Sequence, residues 1–267
     1  MISEIEVKGL FGRFSYKVTL DESVMVLTGP NGAGKSTLLS LIEAVSRGES
    51  EFIERTPFSL LSVKCDGGEA VVEKTKGQTR YSFNGEMLNK EEVASKVGKV
   101  KLISRNNLFS AVLFSEDELK NYIRKIRAIP TAIKDEVGVS DDKLELFTRL
   151  LDERTDFKKP IVNKEDGLYF YDENTGERLD FSQLSAGEIA LCSFYYDLLF
   201  CTPDGALILI DEPETSLHIV WQFTLISDLY DVLSLLGGAR ALVSTHSPQV
   251  ISHYRDLQID LGEQYEG

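Results

Sequence analysis

Three glycines, a lysine and two hydroxyl side chains stand together in Gly29-Pro30-Asn31-Gly32-Ala33-Gly34-Lys35-Ser36-Thr37. Their spacing fits the pattern G-x-x-x-x-G-K-[ST], which holds a chain of phosphates. Glycines let backbone N–H groups close around phosphate oxygens, and a helix starting there adds partial positive charge. Lys35 reaches the outer phosphates as a point charge, and Ser36 offers a hydroxyl to Mg2+. The context agrees: an apolar run, Val24-Met25-Val26-Leu27, precedes the glycines, and a helix-like run, Leu38-Leu39-Ser40-Leu41-Ile42, follows them.

A second group of reactive residues lies 175 positions on. Ala206-Leu207-Ile208-Leu209-Ile210 is a continuous apolar run, as in a strand buried on both faces, and it ends in Asp211-Glu212. Carboxylates at the carboxyl end of such a strand sit where α/β sheets bind ligands. Asp211 is expected to share Mg2+ with Ser36. Glu212 is expected to orient or deprotonate the water that attacks a γ-phosphate. Leu184-Ser185-Ala186-Gly187-Glu188 opens a helix-like segment upstream, and Ser244-Thr245-His246-Ser247-Pro248 closes another apolar strand. Taken alone, Ser185 with Glu188 is also a helix capping box, and His246 is also an ordinary loop histidine.

The surrounding pattern supplies the elements that position these groups. Residues 2–28 read as a hairpin leading into the phosphate-loop strand, with Phe14, Tyr16, Val18 and Leu20 alternating as in a half-buried strand. Residues 58–83 read as a β-meander turning at Asp66-Gly67-Gly68 and Lys76-Gly77. Leu144, Leu146, Phe147 and Leu150-Leu151 recur at helical spacing within a helical section from about 115 to 154. Residues 167–181 read as a hairpin turning at Glu173-Asn174-Thr175-Gly176. The last third alternates helix and strand, the pattern of a parallel sheet.

Composition bounds the functional class. The chain has 267 residues, is 42% hydrophobic, and carries a net charge of −14. That charge argues against a chain-wide nucleic-acid surface. One local basic group, Lys120, Arg124, Lys125, Arg127 and Lys134, reads either as a solvated helix face or as a DNA-binding patch. The most apolar long stretch, 217–236, is interrupted by His218, Gln222, Asp228 and Asp231, so no membrane span is expected. The N-terminus lacks the basic and apolar regions of a signal peptide. Three scattered cysteines, Cys65, Cys192 and Cys201, fit reduced thiols in a cytoplasmic protein.

The order of the pieces (phosphate loop, LSAGE, apolar strand with Asp-Glu, and Ser-Thr-His-Ser) resembles the ATP-binding cassette (ABC) ATPases. Ser185, Ala186, Gly187 and Glu188 look like their signature motif, and His246 like their switch histidine. Asp211-Glu212-Pro213-Glu214-Thr215-Ser216-Leu217-His218 resembles the form found in the OLD and RecF-like soluble ATPases, which include many "AAA family" ATPases of prokaryotic defence loci. The resemblance covers residues 1–40 and roughly 165–260.

The fold that this resemblance implies is α/β: an ABC ATPase head with a mixed or parallel phosphate-loop sheet, an antiparallel β subdomain and a helical lobe. Residues 1–267 then form a single domain. Its parts are an N-terminal nucleotide-binding lobe with the meander (1–105), a helical, variable insertion (106–180), and the signature, acidic strand and histidine (181–267). ATP and Mg2+ are the implied ligands, with Glu212, His246 and Lys35 catalytic. Arg13 and Phe14 are the adenine candidates by position. The family's glutamine loop is missing: Gln78 and Gln183 do not follow the expected strand Val100-Lys101-Leu102-Ile103, and Asn106 or Asn107 stands where the glutamine belongs.

The resemblance also implies a two-fold dimer in which Ser185 and the Gly187 amide of one chain cap the γ-phosphate held by the other. The chain has no sustained heptads to form a coiled coil. The expected partner is therefore a separate effector protein, such as a nuclease or toxin, in antiphage defence or DNA repair. The alternatives are the nucleotide-binding subunit of an ABC transporter and a direct DNA-end-binding ATPase.

Overall fold

The structure is a computed structural model; it describes residues 1–75, 77–104, 140–163, 167–179, 183–215 and 218–264. The basic group from Lys120 to Lys134, the helical reading of 115–139, and Asn106 and Asn107 lie outside the described residues. So do Ser216 and Leu217 of the acidic motif.

The core is a five-stranded parallel sheet in the order β14-β3-β13-β12-β8. Its strands are β3 (Val24–Thr28), β8 (Val100–Ile103), β12 (Leu207–Asp211), β13 (Arg240–Ser244) and β14 (Gln258–Asp260). Alternation along each strand sends successive side chains to opposite faces. Val24, Val26, Ile103, Ile208, Ile210, Ala241 and Val243 pack on one side. Met25, Leu27, Leu102, Leu207, Leu209 and Leu242 pack on the other. Both faces are covered, which explains why these strands read as unbroken apolar runs.

Helix α1 (Lys35–Arg47) covers the second face and buries Leu38, Leu39, Leu41, Ile42 and Val45. Each such side chain contributes about 1.5–3 kcal/mol when removed from water. Against α1 lies a six-stranded antiparallel sheet, β2-β1-β4-β5-β6-β7. It combines the N-terminal hairpin, β1 (Ile2–Leu10) and β2 (Phe14–Thr19), with the meander β4 (Leu60–Cys65), β5 (Gly68–Thr75), β6 (Gln78–Phe83) and β7 (Glu86–Leu88). Two short helices, α2 (Ser50–Arg55) and α3 (Lys90–Val97), connect these parts. Asn89 and Glu92 close α3 with a reciprocal capping box.

The first face of the parallel sheet is covered by α4 (Asp141–Asp152), α5 (Ala186–Phe200) and α7 (Leu225–Ser234). Between α4 and α5 runs a three-stranded sheet, β11-β10-β9. The hairpin β10 (Gly167–Asp172) and β11 (Arg178–Leu179) matches the turn residues in the sequence. The strand β9 (Lys158–Asn163) was not legible there, because Pro160 interrupts the strand chemistry. It is tolerated since β9 is an edge strand. The described part of the 106–180 insertion is thus one helix and one small sheet.

Two four-residue helices, α6 (Ile219–Gln222) and α8 (Pro248–Ile251), follow the carboxyl ends of β12 and β13. Among the described residues, no helix is long and apolar enough to cross a membrane.

Candidate active site

The parallel sheet delivers the phosphate loop, the acidic pair and the histidine to one edge. Strand β3 ends at Thr28, and the loop returns through Gly29, Gly32 and Gly34, all at positive φ. Gly34 is required on two counts. Its φ is 86°, and an added Cβ would lie 2.8 Å from Leu10 Cδ2. Gly34 begins α1 without any side-chain cap, whereas Asn89, Ser140 and Ser185 cap their helices. The first N–H groups of α1 are left for an anion. Ala33 is buried and its carbonyl accepts from the Tyr16 hydroxyl at 2.9 Å, which ties the loop to β2. Pro30, Asn31 and Gly32 form its exposed tip, and Thr37 is half-buried in the first turn of α1.

Lys35 is buried, and its Nζ donates to the carbonyls of Gly29 (2.9 Å) and Pro30 (3.2 Å). The same Nζ lies 2.7 Å from Nε2 of His246. A lysine ammonium only donates, so His246 accepts at Nε2 and carries its ring proton on Nδ1. Burial lowers the Lys35 pKa below the ordinary lysine value, against the opposing pull of Glu212 and Asp211.

Ser36 donates to Asp211 Oδ1 at 3.0 Å, joining the start of α1 to the end of β12. Burial raises the Asp211 pKa, while the hydrogen bond from Ser36 lowers it. Two hard oxygen groups in this geometry match what Mg2+ takes from a protein that also presents phosphate oxygens. Glu212 has φ 49°, a conformation rare outside glycine. It is held there from both sides, by its N–H to Ser244 O (2.8 Å) and by its carbonyl, which accepts from Thr215 N and Oγ1. Such held strain clusters at functional sites. Its Oε1 stands 3.9 Å from His246 Nε2.

Glu214 does something else. One of its oxygens accepts from the Thr245 hydroxyl at 2.8 Å, and the other from the His246 backbone N–H at 2.7 Å. Gln222 on α6 joins the same network, accepting from Ser247 Oγ at 2.7 Å.

The signature residues are elsewhere. Ser185 caps α5, and Ser185 and Glu188 form the capping box with both bonds present. Ser185 Oγ accepts from Glu188 N–H at 3.2 Å, and its hydroxyl also bonds to the Glu188 carboxylate. Glu188 pairs with Lys158 Nζ at 2.8 Å. Burial pushes the Glu188 carboxyl up, but hydrogen bonds from Lys158 and from Ser185 hold it below the ordinary value. Ala186 and Gly187 form the first turn of α5, and a Cβ added at Gly187 would meet the Trp221 ring at 3.9 Å. Ser185, Gly187, Glu188, His218 and Trp221 line an open cavity of about 460 Å3. Among the described residues, no hydrogen bond or ion pair links residues 185–188 to the phosphate loop.

Arg13 is exposed and lies over the Phe14 ring at 4.5 Å; Phe14 stacks on Tyr16. It therefore reaches the loop through that aromatic stack. Gln78 begins β6 of the antiparallel sheet, and Gln183 lies beside the signature turn. Neither sits at the end of β8. Gln222 and Lys158 are the additions that sequence alone did not assign. Glu214 was visible as a second acid in the motif, but its role emerges only from the contacts.

Residues 113–252 match the family described as "AAA domain, putative AbiEii toxin, Type IV TA system". The chain belongs to this family. The matched span contains the signature turn, the acidic strand and His246. The DNA repair protein RecN of Aquifex aeolicus (strain VF5) is 26% identical over 177 residues, covering 64% of this chain. That match spans 32% of RecN, so the chain accounts for about a third of that relative's length. Solved structures with the same fold include the SMC head domain from Thermotoga maritima (TM-score 0.60, 16% identity, 94% of this chain and 91% of that one). Another is an Smc head with an extended coiled coil, bound to the C-terminal domain of ScpA derived from Pyrococcus furiosus (TM-score 0.58, 14% identity, the same coverage). The fold is that of an ABC-type ATPase head of the RecF and SMC class.

Proposed function

We propose that this chain binds and hydrolyses ATP, and that two copies close around the nucleotide to control a separate effector protein. The observation that carries the reading is the convergence of Ser36 with Asp211, 175 positions apart, and of Lys35 with His246, 211 positions apart, beside Glu212.

In this reading the loop amides and Lys35 hold the β- and γ-phosphates. Ser36 and Asp211 hold Mg2+, which neutralises charge on the phosphate oxygens. Glu212 orients and deprotonates the attacking water. His246 stands 2.7 Å from the cation that grips the phosphate, and once Lys35 turns to its ligand and Nε2 takes up a proton the ring can donate to a γ-phosphate oxygen. The signature turn presents the Ser185 hydroxyl and the amide of Gly187 at a helix N-terminus, away from its own phosphate loop. A second copy supplies one, and two-fold symmetry then completes both sites. Hydrolysis removes the group that bridges the chains and favours opening.

The family description names a putative AbiEii toxin and a Type IV TA system, which supports a place in a toxin–antitoxin pair; the separate effector and the defence role are our extension of it. The RecN likeness favours a second reading, in which the ATPase works in DNA repair. Glu212→Gln tests the first part: with Mg-ATP it retains nucleotide and sediments as a dimer. A monomer with full turnover contradicts the proposal. Copurification of the tagged chain, expressed with its neighbouring genes, tests the second part; retention of no partner removes the effector reading.

A further inference from the structure

Two polar side chains in this site, Glu214 and Gln222, bond to the loop that carries His246. Glu214 spends both carboxylate oxygens on the histidine loop, one on the Thr245 hydroxyl and one on the His246 N–H. Thr245 Oγ1 in turn accepts from Ser247 N–H at 2.9 Å. Ser247 Oγ donates to Gln222 Oε1 at 2.7 Å, and Gln222 Nε2 reaches back to the Glu214 carbonyl at 3.4 Å. The circuit closes: Glu214, Thr245, Ser247, Gln222 and Glu214 again. Thr245, Ser247 and Gln222 are buried, so each unmade bond here would leave a polar group without water.

We infer that Glu214 and Gln222 are positioning residues that fix His246 at Lys35, and that Glu214 is not a second base beside Glu212. The reasoning is geometric. A water-activating carboxylate must aim an oxygen at the reacting water. Both Glu214 oxygens are instead turned to the histidine loop, one to the Thr245 hydroxyl and one to the backbone N–H of the residue it positions. The histidine backbone is thereby fixed relative to the end of β12, and the ring then stands at hydrogen-bond distance from Nζ. Gln222 holds the far side of the same loop from α6. Preorganised placement of this kind is worth a large factor in rate, since a displacement of about 1 Å costs on the order of 100-fold.

The inference rests on the proposed role of His246, and a double-mutant comparison separates the two. Turnover and ATP affinity are measured for His246→Ala, Glu214→Ala, Gln222→Met and each pair with His246→Ala. The expected result is a loss in kcat of roughly 10- to 100-fold for Glu214→Ala, and a smaller loss for Gln222→Met, with ATP affinity changed less than about threefold. In the His246→Ala background neither variant lowers kcat further, because both act through the residue already removed. Glu214→Gln retains one acceptor and is expected to fall between wild type and Glu214→Ala. If Glu214→Ala lowers kcat by the same factor with and without His246, the positioning role is wrong. If Glu214→Gln traps ATP as fully as Glu212→Gln, Glu214 is a base and the inference is overturned. If His246→Ala alone leaves kcat unchanged, the proposed role of the histidine fails, and this inference with it. Gln222→Met preserves side-chain volume, so it keeps the test open should Glu214→Ala not fold.

Discussion

Nζ of Lys35 and Nε2 of His246 lie 2.7 Å apart, although 211 positions separate them in the chain. The cation meant for phosphate is here folded onto its own loop carbonyls and onto the histidine. A triphosphate must take Nζ from these partners, and charge-assisted bonds to phosphate are the stronger ones. Lys35→Ala removes the charge without removing the glycine loop. It is expected to weaken ATP binding about 100-fold or more. Isothermal titration with a non-hydrolysable triphosphate checks this; unchanged affinity would mean the loop is not the site.

The pair Ser36 and Asp211 makes a separate prediction about metal. Asp211→Asn keeps the hydrogen bond from Ser36 but loses the charge. The Mg2+ concentration for half-maximal turnover is expected to rise roughly tenfold or more. Removing metal from the wild type with EDTA should stop turnover while nucleotide still binds, more weakly. Turnover that is indifferent to both changes would exclude metal held at this pair.

Away from the phosphate edge, Arg154 and Asp228 form a buried ion pair under the signature cavity, with Tyr195 and Thr224 also donating to Asp228. Burial raises the Asp228 carboxyl above the ordinary aspartate value, and Arg154 pulls it back down. Arg154→Met removes the pull and is expected to cost about 3 kcal/mol. The carboxyl then rises further, so the folded state binds a proton that the unfolded state releases. Stability is retained below the ordinary aspartate value and lost as pH climbs through the folded one. Urea unfolding at pH 5 and pH 8 should show the larger loss at pH 8; an equal loss would mean that removing Arg154 does not move the Asp228 titration within that range.

The phosphate-loop edge was legible because its chemistry is local in sequence. A glycine loop must be contiguous to wrap phosphate, and an apolar run ending in Asp-Glu must be a buried strand that presents carboxylates. The same holds for Ser185 and Glu188, where the capping-box reading and the signature reading describe one turn. Strand β9 was hidden by Pro160, which only an edge position excuses. The tasks of Glu214 and Gln222 were hidden for another reason: they come from bonds to Thr245, His246 and Ser247 across the sheet. No spacing rule marks such partners. Lys158 likewise gains its meaning from Glu188, 30 positions on.

The central claim is that each copy of this chain completes the other's site, and mixing two inactive variants tests it most directly. Lys35→Ala lacks a working phosphate loop, and Ser185→Arg lacks a working signature turn. In a mixed dimer one site contains both defects and the other contains neither. Each variant alone should be inactive, and an equal mixture should recover roughly a quarter of wild-type ATPase activity, since half the dimers are mixed and each has one intact site. A mixture no more active than its separate components would contradict the account.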